Sequence, residues 1–410
     1  MAHAARAPDA GSVTTATPDI DGFTAPGWEA VRDAFAGTFA RHGEAGAAVC
    51  VYQDGQPVAD LAAGVTADGR PYTRETIQPF MSVSKGIVAI AANMLADQGV
   101  LDPDAPVARY WPEFARAGKQ TIPVRWLLTH QAGLAALDRR LSRAELLSWT
   151  PVITALEAQS PNWPPGTAHG YHSMTYGFLV GEVIRRVTGE FPGPWIASHV
   201  STPLNAACHL GLPPALRGSA APVLPFPPRP GGQASTLRMD PDSLPYRAAF
   251  GCTDPPLSPL AVNDPDVQAA QLPAANGIGS ARGLARIFAA VIGEVDGVRL
   301  LTAAAVENAR SEQVRGPDLA AAAMAESALG LGFNLPTPQR PLGGPGSFGT
   351  VGLGGCRAWA LPEARLAYAY LPTQLLDANP DPRDRALTAA VRAAARQRPG
   401  AQAGYPHRAG

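Results

Sequence analysis

Ser82-Val83-Ser84-Lys85 sets a hydroxyl and an amine three residues apart in a chain that uses lysine only at Lys85 and Lys119, against 31 arginines. With 17 serines in 410 residues, a Ser-x-x-Lys match is expected by chance only ~0.08 times. Arginine carries positive charge everywhere else, so a lysine here points to an amine that can lose its proton, which a guanidinium cannot do. Serine is a weak nucleophile until a neighbouring base takes its proton, and a Ser-Lys pair is one way to supply that base. A capping serine beside a solvated lysine is the plainer reading of the same four residues.

The elements around the tetrad favour the chemical reading. Ile87, Ile90, Ala91, Met94 and Leu95 recur at helical spacing and Gln98-Gly99 closes the run, which predicts a helix with Ser82 at or just before its start. Positions i and i+3 share a face, so Ser82 Oγ and Lys85 Nζ can meet while Ser84 turns away. The positive end of the helix dipole favours the neutral amine.

Trp28, Val31, Phe35 and Phe39 predict an amphipathic first helix ending near His42-Gly43. Strand-like runs Ala47–Gln53 and Pro57–Gly64 meet at Asp54-Gly55, a hairpin signal. A second hairpin is expected from Cys356–Ala360, a turn over 361–364, and Leu366–Leu371, followed by a helix bearing Leu387, Val391 and Ala395. Hairpins near both ends with helical sequence between them predict an α/β (α+β) fold. One antiparallel sheet, built from both termini and flanked by helices, would carry an inserted, mainly helical lobe. Short helices are expected at Val124–His130, at 176–187 with Gly189 behind it, and after a capping Ser280. The expected division is a flexible leader 1–22, a sheet domain 23–80 plus 295–398, a helical lobe 81–294 and a flexible tail 399–410. Within the lobe, the Pro/Gly-rich stretch 213–273 is too long for a simple connector and would either cover a cleft or be disordered.

A net charge of −1 without basic clusters excludes a nucleic-acid footprint, and no apolar run is long enough for a membrane span. Cys50, Cys208, Cys252 and Cys356 are dispersed without metal-ligand spacing, so they read as small buried residues; no metal and no cofactor are expected. No apolar signal segment is visible, and a cytoplasmic location is expected.

With these elements in place, the chain resembles the serine β-lactamase/penicillin-binding-protein superfamily, its class C β-lactamase branch and the family VIII carboxylesterases. The resemblance rests on Ser82-x-x-Lys85, on Leu127-Leu128-Thr129-His130-Gln131-Ala132-Gly133-Leu134, and on Trp163-Pro164-Pro165-Gly166-Thr167 followed by Tyr171-His172-Ser173. It rests also on Asn276-Gly277-Ile278-Gly279-Ser280. It implies a β-lactamase/transpeptidase-like fold with Ser82 as acylated nucleophile, Lys85 as its proton acceptor and Tyr171 as the phenol that passes a proton to the leaving group. His130, His169 and His172 read instead as groups that fix loops, and Tyr176 as core. The third family element is altered. Where relatives carry Lys-Thr-Gly, His-x-Gly or Trp-x-Gly, this chain has Thr350-Val351-Gly352, followed by Leu353-Gly354-Gly355. The resemblance implies an oxyanion hole from the backbone N–H groups of Ser82 and Leu353, and substrate contacts from Thr350, Val351, Gly352, Gly354 and Ser173. Thr350 cannot pair with a β-lactam carboxylate, and Ser173 replaces the asparagine of Tyr-x-Asn. Both changes argue against β-lactamase or D,D-peptidase activity. The expected function is therefore a carboxylesterase-type serine acyl hydrolase acting on an uncharged ester or amide. A transacylase delivering the same acyl group to an alcohol or amine acceptor is the alternative, and a non-catalytic binding relative the third reading.

Overall fold

The computed structural model describes residues 18–227, 239–321, 326–376, 378 and 380–397; the leader up to 17, the tail from 398 and residues 228–238 of the proline-rich stretch lie outside them. Six strands form the main sheet: β1 (Ile20–Thr24), β2 (Gly46–Gln53), β3 (Gln56–Gly64), β4 (Phe348–Val351), β5 (Arg357–Leu361) and β6 (Leu366–Pro372). Their order is β1-β3-β2-β6-β5-β4, antiparallel throughout. Both expected hairpins are present. Asp54 and Gly55 both take positive φ, 54° and 75°, as a two-residue hairpin loop matched to strand twist requires. The central pairing of β2 with β6 sets Val49 opposite Tyr370, joining the two ends of the chain in one sheet.

The helices that matter for the site are α1 (Glu29–His42), α2 (Ser84–Asp97), α3 (Val124–Leu128), α4 (Thr175–Thr188), α5 (Ala281–Ile292) and α6 (Pro382–Arg396). The period-2 alternation of β2 divides its side chains between two cores. Val49 and Val51 pack with Val31, Phe35 and Phe39 of α1 and with Leu387 and Val391 of α6. Ala48, Cys50 and Tyr52 face a larger core shared with α2, α4 and α5. Each large side chain so buried contributes about 1.5–3 kcal/mol. The first helix ends at Gly43 (φ 63°) as expected, and the expected glycine cap closes α4 at Gly189 (φ 76°); Ser280 accepts from Gly283 N–H at the start of α5.

Two boundaries differ from the sequence reading. The sheet begins at Ile20, inside the segment assigned to a leader, because β1 pairs with β3 and Arg32 of α1 donates to the carbonyls of Ile20 (3.2 Å) and Gly22 (2.8 Å). Helix α5, assigned to the helical lobe, lies on the sheet, its Leu284, Ile287, Phe288 and Val291 buried against that face. A buried ion cluster sews the ends of the chain together: Glu44, just before β2, accepts from Arg383 Nη1 at 2.6 Å. Arg383 Nη2 donates to Asp381 Oδ2 at 2.8 Å and to the Gly354 carbonyl at 2.7 Å.

Candidate active site

Helix α2 is entered through one 3-10 turn, Met81–Val83, with Met81 at φ 52°. A non-glycine residue at positive φ is strained, and the strain falls on the residue before Ser82. Ser82 therefore stands where the first N–H groups of a helix have no acceptor within it. Lys85 is 4% exposed; its Nζ donates to Ser82 Oγ at 3.2 Å and to the Ala274 carbonyl at 2.9 Å. Burial pulls the Lys85 pKa below the ordinary lysine value, with the nearby Tyr171 opposing the shift. A neutral amine has two N–H bonds and one lone pair. With one N–H fixed on Ala274, the lone pair is free to turn toward Ser82.

The surrounding loops hold this pair in place. Ser84 Oγ donates to the Met81 carbonyl and accepts the Gly277 N–H at 2.9 Å, so the second serine of the tetrad is a brace. Asn276, 1% exposed, donates to the carbonyls of Val267 and Ala270 and accepts from Leu272 N–H, tying the loop that presents Ala274. A Cβ on Gly277 would lie 2.1 Å from the Phe80 ring; only glycine allows this loop to pack behind the Ser82 turn.

Tyr171 is brought in by two loops laced together. Gly166 N–H donates to Gln131 O, Gly170 N–H to His130 O, and Asn162 N–H to Gly133 O, while Tyr171 N–H donates to Asp318 Oδ1 at 2.8 Å. The Tyr171 ring centroid lies 4.7 Å from Lys85 Nζ. His172 accepts Leu134 N–H at Nε2 (2.9 Å) and lies 2.6 Å from Gly170 O at Nδ1, and burial lowers its pKa to about 4. His130 accepts His172 N–H at Nδ1, and burial holds it, too, far below the ordinary histidine value. His169 pairs with Ser327 Oγ at 2.7 Å. All three histidines anchor loops by these bonds. Tyr176 is buried in the core, 5.0 Å from the His130 ring.

Strand β4 closes the other side. A Cβ on Gly352 would lie 2.7 Å from the Phe80 carbonyl, so glycine lets the strand end press against the Met81–Val83 turn. Leu353 and Gly354, the latter at φ 80°, are the central residues of a tight turn closed by Gly355 N–H donating to the Gly352 carbonyl at 3.3 Å, a turn that makes no use of the Leu353 N–H. Thr350 packs on Gly86 of α2, where an added Cβ would lie 2.7 Å from Thr350 Cγ2; its Oγ1 is buried without a hydrogen-bond partner.

Ser82, Lys85, His130, Tyr171, Thr350 and Val351 line a chamber of about 20 Å³. It adjoins a cavity of about 430 Å³ that also touches Ser82 and Tyr171 and is lined by Ser173, Val351, Gly352 and Leu353. Gly354 lines neither; its carbonyl is turned to Arg383. The outer wall comes from the proline-rich stretch, including Pro245, Phe250, Leu257 and Val262, so its described part covers the cleft. Sequence reasoning missed Ala274, Asp318 and Arg383. A carbonyl has no side-chain signature, and an arginine is one of 31.

The Beta-lactamase family model matches residues 31–393. The chain is 33% identical over 380 residues to the esterase/beta-lactamase LipL of Mycobacterium tuberculosis, covering 90% of this chain and 85% of that protein. Among solved structures, a family VIII carboxylesterase is 35% identical with a TM-score of 0.81, covering 91% of this chain and 98% of that one. EstA from Arthrobacter nitroguajacolicus Rue61a is 30% identical with a TM-score of 0.83, covering 92% and 98%.

Proposed function

The chain belongs to the beta-lactamase family and is a serine hydrolase, and from that premise we propose that it is a carboxylesterase working through an acyl-Ser82 intermediate. The contact of 3.2 Å between Lys85 Nζ and Ser82 Oγ, opening onto a cavity walled by apolar side chains, carries this reading. Neutral Lys85 takes the Ser82 proton as Oγ bonds to the ester carbonyl carbon. The resulting oxyanion accepts from the N–H groups of Ser82 and Leu353. As the carbonyl–oxygen bond to the alcohol breaks, the proton passes from Lys85 by way of Tyr171 to the departing oxygen. Water then repeats the sequence in reverse and frees the acid. The acyl group is apolar and uncharged: Thr350 offers a hydroxyl and no charge, and Val351, Gly352 and Ser173 complete its contacts.

An acyl transferase is the second reading, favoured by the cover over residues 239–273, which narrows the access of water to the acyl-enzyme. Fluorophosphonate labelling followed by intact mass tests the first. One adduct on the native protein, absent from Ser82→Ala and Lys85→Ala, is expected; no adduct on native protein supports a binding relative instead. Product analysis with millimolar alcohol or amine separates the two enzymatic readings, since transfer outrunning hydrolysis excludes the simple esterase.

A further inference from the structure

Strand β4 carries Thr350 between Gly349 and Val351, its side chain packed on Gly86 of α2. The residue is 4% exposed, and its Oγ1 has no hydrogen-bond partner among the described residues. A buried hydroxyl costs stability unless something bonds it. Thr350 lines the small chamber beside Ser82 and not the large cavity, so the partner has to come from the chamber.

Two further polar groups line the same space. His130 is held at φ 59°, a strained backbone that persists only where its surroundings fix it. Its Nδ1 accepts the His172 N–H at 3.1 Å and burial keeps the ring neutral, so Nε2 carries the proton and is a donor. Neutral Lys85 has one N–H on the Ala274 carbonyl and its lone pair toward Ser82 Oγ, which leaves a second N–H to give. A buried water needs roughly 10–15 Å³ and two to four polar partners. The chamber, at about 20 Å³, is the space of one water, and an alcohol such as ethanol does not fit.

We propose that this chamber seats the water that deacylates Ser82, and that Thr350 is the positioning residue that holds it. The proposal rests on the acyl-Ser82 reading. Ser82, Tyr171, Asn334 and Val351 line both spaces, so a water in the chamber borders the acyl carbonyl while the acyl group lies in the cavity. The water oxygen bonds to the acyl carbonyl carbon, and its proton passes through the Tyr171 hydroxyl to Lys85. The carbon–oxygen bond to Ser82 then breaks, and Ser82 Oγ takes that proton back from Lys85 as the acid leaves. An alcohol acceptor has to enter by the cavity instead, so the Thr350 hydroxyl weights hydrolysis against transfer.

Partition of one acyl-enzyme tests this. With p-nitrophenyl butyrate and ethanol, butyrate and ethyl butyrate arise from the same intermediate, so a slower acylation or a smaller active fraction cancels in their ratio. Thr350→Val keeps the shape and drops the hydroxyl. It is expected to raise ethyl ester over acid by about tenfold, the worth of one hydrogen bond to the water. Thr350→Ser keeps a hydroxyl and is expected to stay within about twofold of the native ratio. An unchanged ratio in Thr350→Val overturns the proposal. So does an equal shift in Thr350→Ser, because lost packing on Gly86 would then be the cause. A crystal structure of the native protein needs no turnover: one water within hydrogen-bonding distance of Thr350 Oγ1 is expected, and a dry chamber overturns the proposal. Failure of the acyl-Ser82 reading looks different, since native protein would then form neither product.

Discussion

Both lysines of the chain are buried, and each does something an arginine could not. Lys119 donates to three carbonyls, of Arg116 (2.9 Å), Glu157 (3.0 Å) and Gln159 (2.6 Å), a convergence that suits a compact ammonium and not a flat fork. Lys85 keeps one carbonyl partner, Ala274, and the Ser82 hydroxyl. Lys85→Arg is expected to fold and to lose about 10²–10⁴-fold in kcat/KM, the usual worth of a positioned acid–base group; retention of more than a tenth of the activity would remove Lys85 from the reaction. Because burial lowers its pKa, the base should become competent as pH rises through a value below the ordinary lysine range, giving kcat/KM an acid limb there. The linkage to stability has the same sign. Between the depressed pKa and 10.5 the unfolded chain binds the proton more tightly than the folded one, so stability rises with pH across that window. Lys85→Met should lack that slope in urea titrations run at several pH values. Tyr171→Phe should slow acylation by a similar 10²–10⁴-fold, measured as the burst rate with an activated ester, without shifting the unfolding midpoint. The serine, lysine and tyrosine were legible because their types are chemically restrictive and two of them share one helical turn. Asp318 was not, since only the fold brings its carboxylate to the Tyr171 N–H.

Among the elements, the hairpins and the caps of α1, α4 and α5 were readable in advance, as Asp54-Gly55, Gly43, Gly189 and Ser280 each answer a local backbone demand. The edge strand β1 was not readable, because Ile20–Thr24 acquires its pairing from β3 and its anchorage from Arg32, neither of which marks the segment itself. The roles of β4 depend on how closely it approaches the nucleophile turn. Gly352→Val should push the strand end off Phe80 and Met81 and cost roughly 10²-fold in kcat/KM, as displacements of about 1 Å in such sites do. Circular dichroism is expected to stay native. Full activity in this variant would show that the gap between β4 and the turn plays no part in aligning Leu353 with Ser82.

On the scale of the whole molecule, the site lies where a sheet made from both ends of the chain meets the helices between them. The side chains of Glu44, Arg383 and Asp381 are each 1% exposed or less. Replacing one member leaves the others charged and dry, so Arg383→Met is expected to cost about 3–5 kcal/mol in urea unfolding. It also frees the Gly354 carbonyl next to Leu353, so kcat should fall more than KM changes in the protein that remains folded; equal stability of variant and native protein would contradict the pairing. Among the described residues no helix is long and apolar enough to cross a membrane.

The bond from Arg383 to Glu44 spans 339 residues of sequence, and this separation bears on how the enzyme is made. On the ribosome, Ser82 and Lys85 emerge early, but β2 waits for β6, and the turn carrying Leu353 waits for Arg383. Non-local pairing of this kind forms late. A nascent chain therefore holds Ser82 and Lys85 without the Leu353 turn or a closed cleft until synthesis is almost complete, and a prematurely terminated product is expected to be catalytically silent.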